Sequence, residues 1–128
     1  YHNHGWEPAR LDGRIILDIM QEYLDPGVKF EIDVYWVKVA GLDPAALITD
    51  LGARVPLVHL KDGSGDRSQA MTAVGQGIID SKSVAAAAEN VGANWLIVEM
   101  DRVDGDVLAA VTESYRYVIG QGLAKGRR

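Results

Sequence analysis

Four stretches of the chain alternate apolar and polar residues and end in His, Asp or Glu: Tyr1–His4, Val28–Asp33, Val55–Asp62 and Asn94–Asp101. Period-two alternation marks a strand with one packed face. In the second stretch Val28, Phe30 and Ile32 share one side, and Lys29, Glu31 and Asp33 the other. In the third, Leu57, His59 and Lys61 alternate with Val58 and Leu60. In the fourth, Leu96, Val98 and Met100 oppose Trp95, Ile97, Glu99 and Asp101. Tyr1–His4 is too short for a whole strand and reads as the end of one.

Helical spacing fills the intervals. Ile16, Ile19, Met20 and Tyr23 follow i, i+3, i+4, i+7 as one face of a helix over about Leu11–Leu24, which Asp25-Pro26-Gly27 stops. Tyr35 to Gly41 reads as an exit loop carrying Trp36. Asp43 then caps a helix with Pro44 at its first position, Leu47, Ile48 and Leu51 facing inward, and Gly52 at its end. Gly63 to Gly77 is a long irregular connection, the kind that is functional or mobile. Asp80 caps a helix with Val84, Ala87, Ala88 and Val91 on a narrow apolar face. A last helix, over about Asp106–Ile119, is expected to bury Leu108, Val111, Tyr115 and Val118.

Strict strand–helix alternation at about 30 residues per unit predicts an α/β fold, a parallel sheet with helices outside it. In a doubly wound, flavodoxin-like sheet the polar strand positions would be buried without partners, whereas in a barrel they line the mouth. The alternation therefore favours a (β/α) half-barrel of TIM-barrel type, one domain over residues 1–128: three full βα units and the end of a fourth strand.

Composition narrows the chemistry. The chain has no cysteine, so any metal must be held by nitrogen and oxygen, which favours Mn, Mg, Co or Zn. A net charge of −5, with the only basic cluster at Lys125–Arg128, argues against a nucleic-acid partner. No apolar run reaches membrane-spanning length and no signal-peptide pattern opens the chain, so no membrane partner and a cytoplasmic location are expected.

All three histidines, His2, His4 and His59, fall at two proposed strand ends, with Asp33 and Glu99 at equivalent ends. That set suits a metal site, although each also has an ordinary reading: His59 as a hydrogen-bonded core histidine, the acids as loop-entry residues. His2 and His4 share strand parity, so either can face inward. Glu31, one inward step below Asp33, is expected to pair with Lys61 or Lys29, because an unpaired buried charge is costly. Lys61 reads as an acid/base, a substrate-binding group or a structural partner. Trp6 and Trp36 stand at the site end and can stack on a ring. Gly75-Gln-Gly77 reads as a turn whose N–H groups could approach a phosphate.

Together, Tyr1-His-Asn-His4, Phe30-Glu-Ile-Asp-Val-Tyr-Trp36, His59-Leu-Lys-Asp62, Val74-Gly-Gln-Gly-Ile-Ile-Asp80 and Ile97-Val-Glu-Met-Asp101 resemble, in order and spacing, a known family. It is the sugar phosphate isomerase/epimerase family of xylose-isomerase-like TIM barrels, and the match is to strands five to eight, its C-terminal half. The resemblance implies a divalent metal held by His2, Asp33, His59 and Glu99, and isomerisation or epimerisation of a sugar, sugar phosphate or keto-sugar, with dehydration in some relatives. On this reading Glu99 is a candidate for both ligand and base, Lys61 a candidate acid/base, and Trp36 and His4 candidate substrate contacts, while His4 could serve as ligand in place of His2. The chain departs from the family pattern at Gln76, where relatives carry Glu between the glycines, and at His2, where many carry Glu. The family's first four strands are absent. A half-barrel has two open sheet edges, so a homodimer completing the barrel is expected; a non-catalytic, self-associating half-barrel is the alternative.

Overall fold

The protein is described here by a computed structural model that covers residues 1–126; the end of the basic tail, Arg127–Arg128, lies outside the described residues. After the His2 segment, a small hairpin pairs β1 (Arg10–Leu11) with β2 (Arg14–Ile15) and leads into α1 (Ile16–Tyr23). The hairpin replaces the first part of the expected helix. Its turn is Asp12-Gly13, both at positive φ, the left-handed pair that a two-residue hairpin loop requires. Only Leu17 of α1 is fully buried, and Tyr23, expected to face inward, is 82% exposed.

The chain continues through β3 (Glu31–Asp33), α2 (Val34–Val39), α3 (Pro44–Leu51) and β4 (Leu57–Leu60). The expected exit loop after β3 is thus a helix. Its cap is Asp33, whose Oδ1 accepts from the N–H groups of Tyr35 (3.1 Å) and Trp36 (3.2 Å). Its β-branched residues are weak helix formers, but Val34, Tyr35 and Val37 are buried, and that burial outweighs propensity. Asp43 caps α3 as its sequence predicts.

A two-residue ladder, β5 (Asp62–Gly63) with β6 (Met71–Thr72), closes the long connection, and α4 (Ser81–Asn90), β7 (Trp95–Val98) and α5 (Val107–Gly120) complete the fold. Asp80 and Asp106 cap α4 and α5. Of the α5 residues expected inside, only Val118 is buried; Leu108 and Tyr115 are 74% and 51% exposed. This helix flanks β7, an edge of the sheet, so part of its apolar face has nothing to pack on.

Strands β3, β4 and β7 pair in parallel and in chain order, and His2 adds a parallel bridge to Glu31 on the far side of β3. A doubly wound sheet would reverse its strand order at a switch point; none occurs among the described strands. Register places Glu31 beside Leu57 and Asp33 beside His59, so polar residues share one face. The opposite face carries Ile32, Val58 and Leu60, all at 0% exposure in the main core with Ile48 and Val84. Among the described residues, no helix is long and apolar enough to cross a membrane.

Asp62 organises the connection after β4. Its buried carboxylate accepts from the backbone N–H groups of Gly63 (2.9 Å), Gly75 (2.9 Å), Gly77 (3.1 Å) and Ile79 (3.1 Å). The two glycine amides that could have approached a phosphate are therefore committed to an internal anion. A Cβ at Gly77 would overlap Asp62 and the Gly63 backbone. Asp62→Ala strips these donors of their acceptor and is expected to cost about 2–4 kcal/mol in denaturant unfolding. Faster amide exchange should accompany it at Gly77 and Ile79.

Candidate metal centre

Four side chains converge at the C-terminal ends of the strands. His2 stands on the bridge segment, Asp33 ends β3, His59 lies in β4, and Glu99 follows β7 by one residue. Because Ile97 is the register partner of His59, Glu99 two residues on returns to the same face. One donor atom from each lies within 4.8 Å of the others. His2 Nε2 is 3.4 Å from Asp33 Oδ2, and His59 Nδ1 is 4.0 Å from that oxygen and 3.1 Å from Glu99 Oε2.

These same four atoms, His2 Nε2, Asp33 Oδ2, His59 Nδ1 and Glu99 Oε2, are buried and make no aligned hydrogen bond among the described residues, although the two oxygens lie in ion-pair distance of Lys61. Buried polar atoms rarely go unsatisfied, since each costs a desolvation penalty. Two nitrogens and two carboxylate oxygens facing one another form a donor set that fits a divalent cation. The local folding prepares them for it. Asp33 spends Oδ1 on capping α2 and keeps Oδ2 for the cluster. The two ring nitrogens of His59 face different carboxylates, Nε2 at 3.1 Å from Glu31 Oε1 and Nδ1 at 3.1 Å from Glu99 Oε2. Glu31 thus pairs with His59, not with the lysines expected for it.

The bridge segment is fixed by a residue without a role in the motif reading. Buried Asn3 accepts from the Asp33 backbone N–H (2.8 Å) and donates to the Asp33 carbonyl (3.3 Å), standing in for a strand partner. Glu7, also fully buried, accepts from the Tyr1 hydroxyl (2.7 Å) and the His4 N–H (2.9 Å). Burial, reinforced by Glu7, pushes the Tyr1 hydroxyl up to about 12.

Lys61 is 2% exposed and lies among three carboxylates. Its Nζ is 2.5 Å from Glu99 Oε2, 2.9 Å from Asp33 Oδ2 and 2.9 Å from both oxygens of Asp101. Asp33 Oδ2 and Glu99 Oε2, two of the four donor atoms, are therefore held in close ion pairs with Lys61. Desolvation opposes the charge on Lys61, but Glu99, Asp33 and Asp101 outweigh it and hold the ammonium well above the ordinary lysine value. Burial pushes the Asp33 carboxyl up, against the pull of Lys61, the Trp36 N–H and His2.

Trp36 sits on α2, with Lys61 Nζ and the Arg67 guanidinium each 5.8 Å from its ring centre. It lines a cavity of about 180 Å³ with Arg67, Gln69, Asp101 and Arg102, beside the cluster. His4 is exposed, its ring 4.9 Å from that of His2 and outside the four-donor set. Trp6 is 54% exposed. Asp101 had a sequence signal, since it shares strand parity with Glu99; parity alone does not say that it closes on Lys61.

The fold is α/β, with parallel strands in chain order and a nitrogen–oxygen donor cluster at their C-terminal ends. Two solved structures of sugar phosphate isomerase/epimerase proteins from Parabacteroides distasonis ATCC 8503 are similar to this chain in fold. They superpose with TM-scores of 0.83 and 0.81 at 28% and 26% identity, each over 98% of this chain. The chain spans 46% of the length of each, about half of such a protein. No family model and no curated protein matches the chain.

The division of labour within Asp33 is open to test. Asp33→Asn retains an Oδ1 acceptor for α2, while Asp33→Ala loses it. The alanine variant should be the less stable by about 1 kcal/mol in urea unfolding without metal. Both should lose divalent-metal binding in calorimetric titration.

Proposed function

We propose that the chain forms strands five to eight of a xylose-isomerase-like barrel and carries the metal centre of a sugar, sugar phosphate or keto-sugar isomerase or epimerase. The observation that carries this reading is the meeting of two histidine nitrogens and two carboxylate oxygens, all buried and within 4.8 Å of one another, on the polar face of a sheet whose other face is core. His2, Asp33, His59 and Glu99 would hold a divalent ion, Mn, Mg, Co or Zn. Bound there, it would supply Lewis-acid polarisation of a substrate carbonyl or hydroxyl oxygen.

The protein's groups then divide the remaining work. Glu99 is the most exposed of the four ligands, 36% by side chain, so its carboxylate can reach the carbon next to that oxygen and take its proton. Lys61 stays charged and acts as a fixed positive group or donor to a substrate oxygen, not as a base. Trp36 offers an aromatic face to the sugar ring, and His4 a polar contact at the mouth. Glu99→Gln, with metal still bound, is expected to slow substrate α-proton exchange with solvent by about 10²–10⁴-fold, measured by NMR in deuterated buffer. An unchanged exchange rate would remove Glu99 as the base.

A second reading, a half-barrel that self-associates, is favoured by the unpaired outer edge of β7 and the exposed Trp95 (54%) and Leu108 (74%) beside it. Native mass spectrometry of protein purified without chelator separates the two. A homodimer with about one divalent ion per chain is expected if two copies complete the barrel and its sites; a metal-free oligomer would favour the non-catalytic reading.

A further inference from the structure

We propose that Lys61 is a built-in competitor for the metal, and that Asp101 is the positioning residue that sets how strongly it competes. The inference rests on the metal-centre reading above and adds a control on affinity to it. Two of the four ligand atoms, Asp33 Oδ2 and Glu99 Oε2, are also the atoms that Lys61 Nζ approaches to 2.9 and 2.5 Å. An ammonium and a divalent ion would therefore share the same two oxygens. Lys61 is buried, so water screens this contest little.

Without metal, the ammonium holds two repelling carboxylates side by side and keeps the cluster assembled. With metal, the same charge opposes the incoming cation. Repulsion is the larger effect, because the ion carries twice the ammonium's charge, whereas loss of the ammonium costs only the ordering of two side chains. Asp101 lies on the far side of Lys61 and chelates Nζ with both oxygens at 2.9 Å. It gives the ammonium an anchor outside the ligand set and partly neutralises it, which weakens its hold on Asp33 and Glu99. Asp101 is itself 44% exposed, so its removal leaves the core intact.

The test compares wild type, Lys61→Met, Asp101→Asn and the double variant, stripped with chelator and titrated with Mn²⁺ by isothermal calorimetry at fixed pH, with circular dichroism confirming the fold. Lys61→Met is expected to bind Mn²⁺ about tenfold tighter while its metal-free form melts at lower temperature. Asp101→Asn should bind several-fold weaker with near-native melting. In the Lys61→Met background, Asp101→Asn should change affinity by less than about twofold, since Asp101 acts through the lysine. Equal or weaker binding by Lys61→Met overturns the competition, and additive effects overturn the role of Asp101. Absence of Mn²⁺ binding by wild type removes the metal-centre reading and this inference with it. Wild-type binding that Lys61→Met leaves unchanged removes the inference alone.

Discussion

The gathering of carboxylates around one buried ammonium is the constraint on which the rest of the site depends. Asp33, Glu99 and Asp101 come from two strand ends that are not neighbours in the sheet, with β4 between them. Left alone they would repel at close range in a poorly hydrated place. Lys61, leaving the end of β4, is the group that crosses this gap. Its charge makes the cluster tolerable but does not complete it: among the described residues the two histidine nitrogens and the two oxygens facing them make no aligned hydrogen bond. A buried ion pair is weak evidence for stability by itself. Two nitrogens and two oxygens converging on one point form, in addition, a donor set that could hold a cation.

This arrangement follows from the period of the strands. Ile32, Val58 and Leu60 take the helix-covered face, and each residue's neighbour must then point the other way. Asp33, His59, Lys61 and Glu99 acquire a common face without any special backbone. What the fold adds is height. Parallel pairing in register puts Asp33 level with His59, and the cap of α2 begins at the same residue, so a helix start and a ligand are fixed by one carboxylate.

Much of this was legible in the sequence. Parity identified both faces of β3 and β4, and the strand-end rule brought out Asp33, His59 and Glu99 with either His2 or His4; the resemblance implied His2, which the structure brings into the set. Helix caps at Asp43, Asp80 and Asp106 were legible because a short acid before an apolar run satisfies orphan amides whatever surrounds it. The helix α2 was hidden because its cap doubles as a site residue and its Val-rich sequence owes its helicity to burial. The hairpin at Asp12-Gly13 was masked by the helical spacing that follows it. The partner choices, Glu31 with His59 and Lys61 with Asp101, depend on side-chain reach across strands, which spacing along one strand does not encode.

The residues that spacing placed inside and the structure leaves outside teach a different lesson. Tyr23, Leu108 and Tyr115 follow the helical period as faithfully as the buried Val84 and Val118, yet they are exposed. Periodicity reports which face a helix would bury, not whether anything is there to cover it. In the proposed barrel these helices flank the two open sides of a four-strand array, where further βα units or a second copy would pack. Trp95 and Ile97, on the polar-face side of β7, belong to the same open side. The expectation that Tyr23, Leu108 and Tyr115 face inward fails in this chain by itself, whereas the four candidate donors, all of them in this chain, are brought together within it.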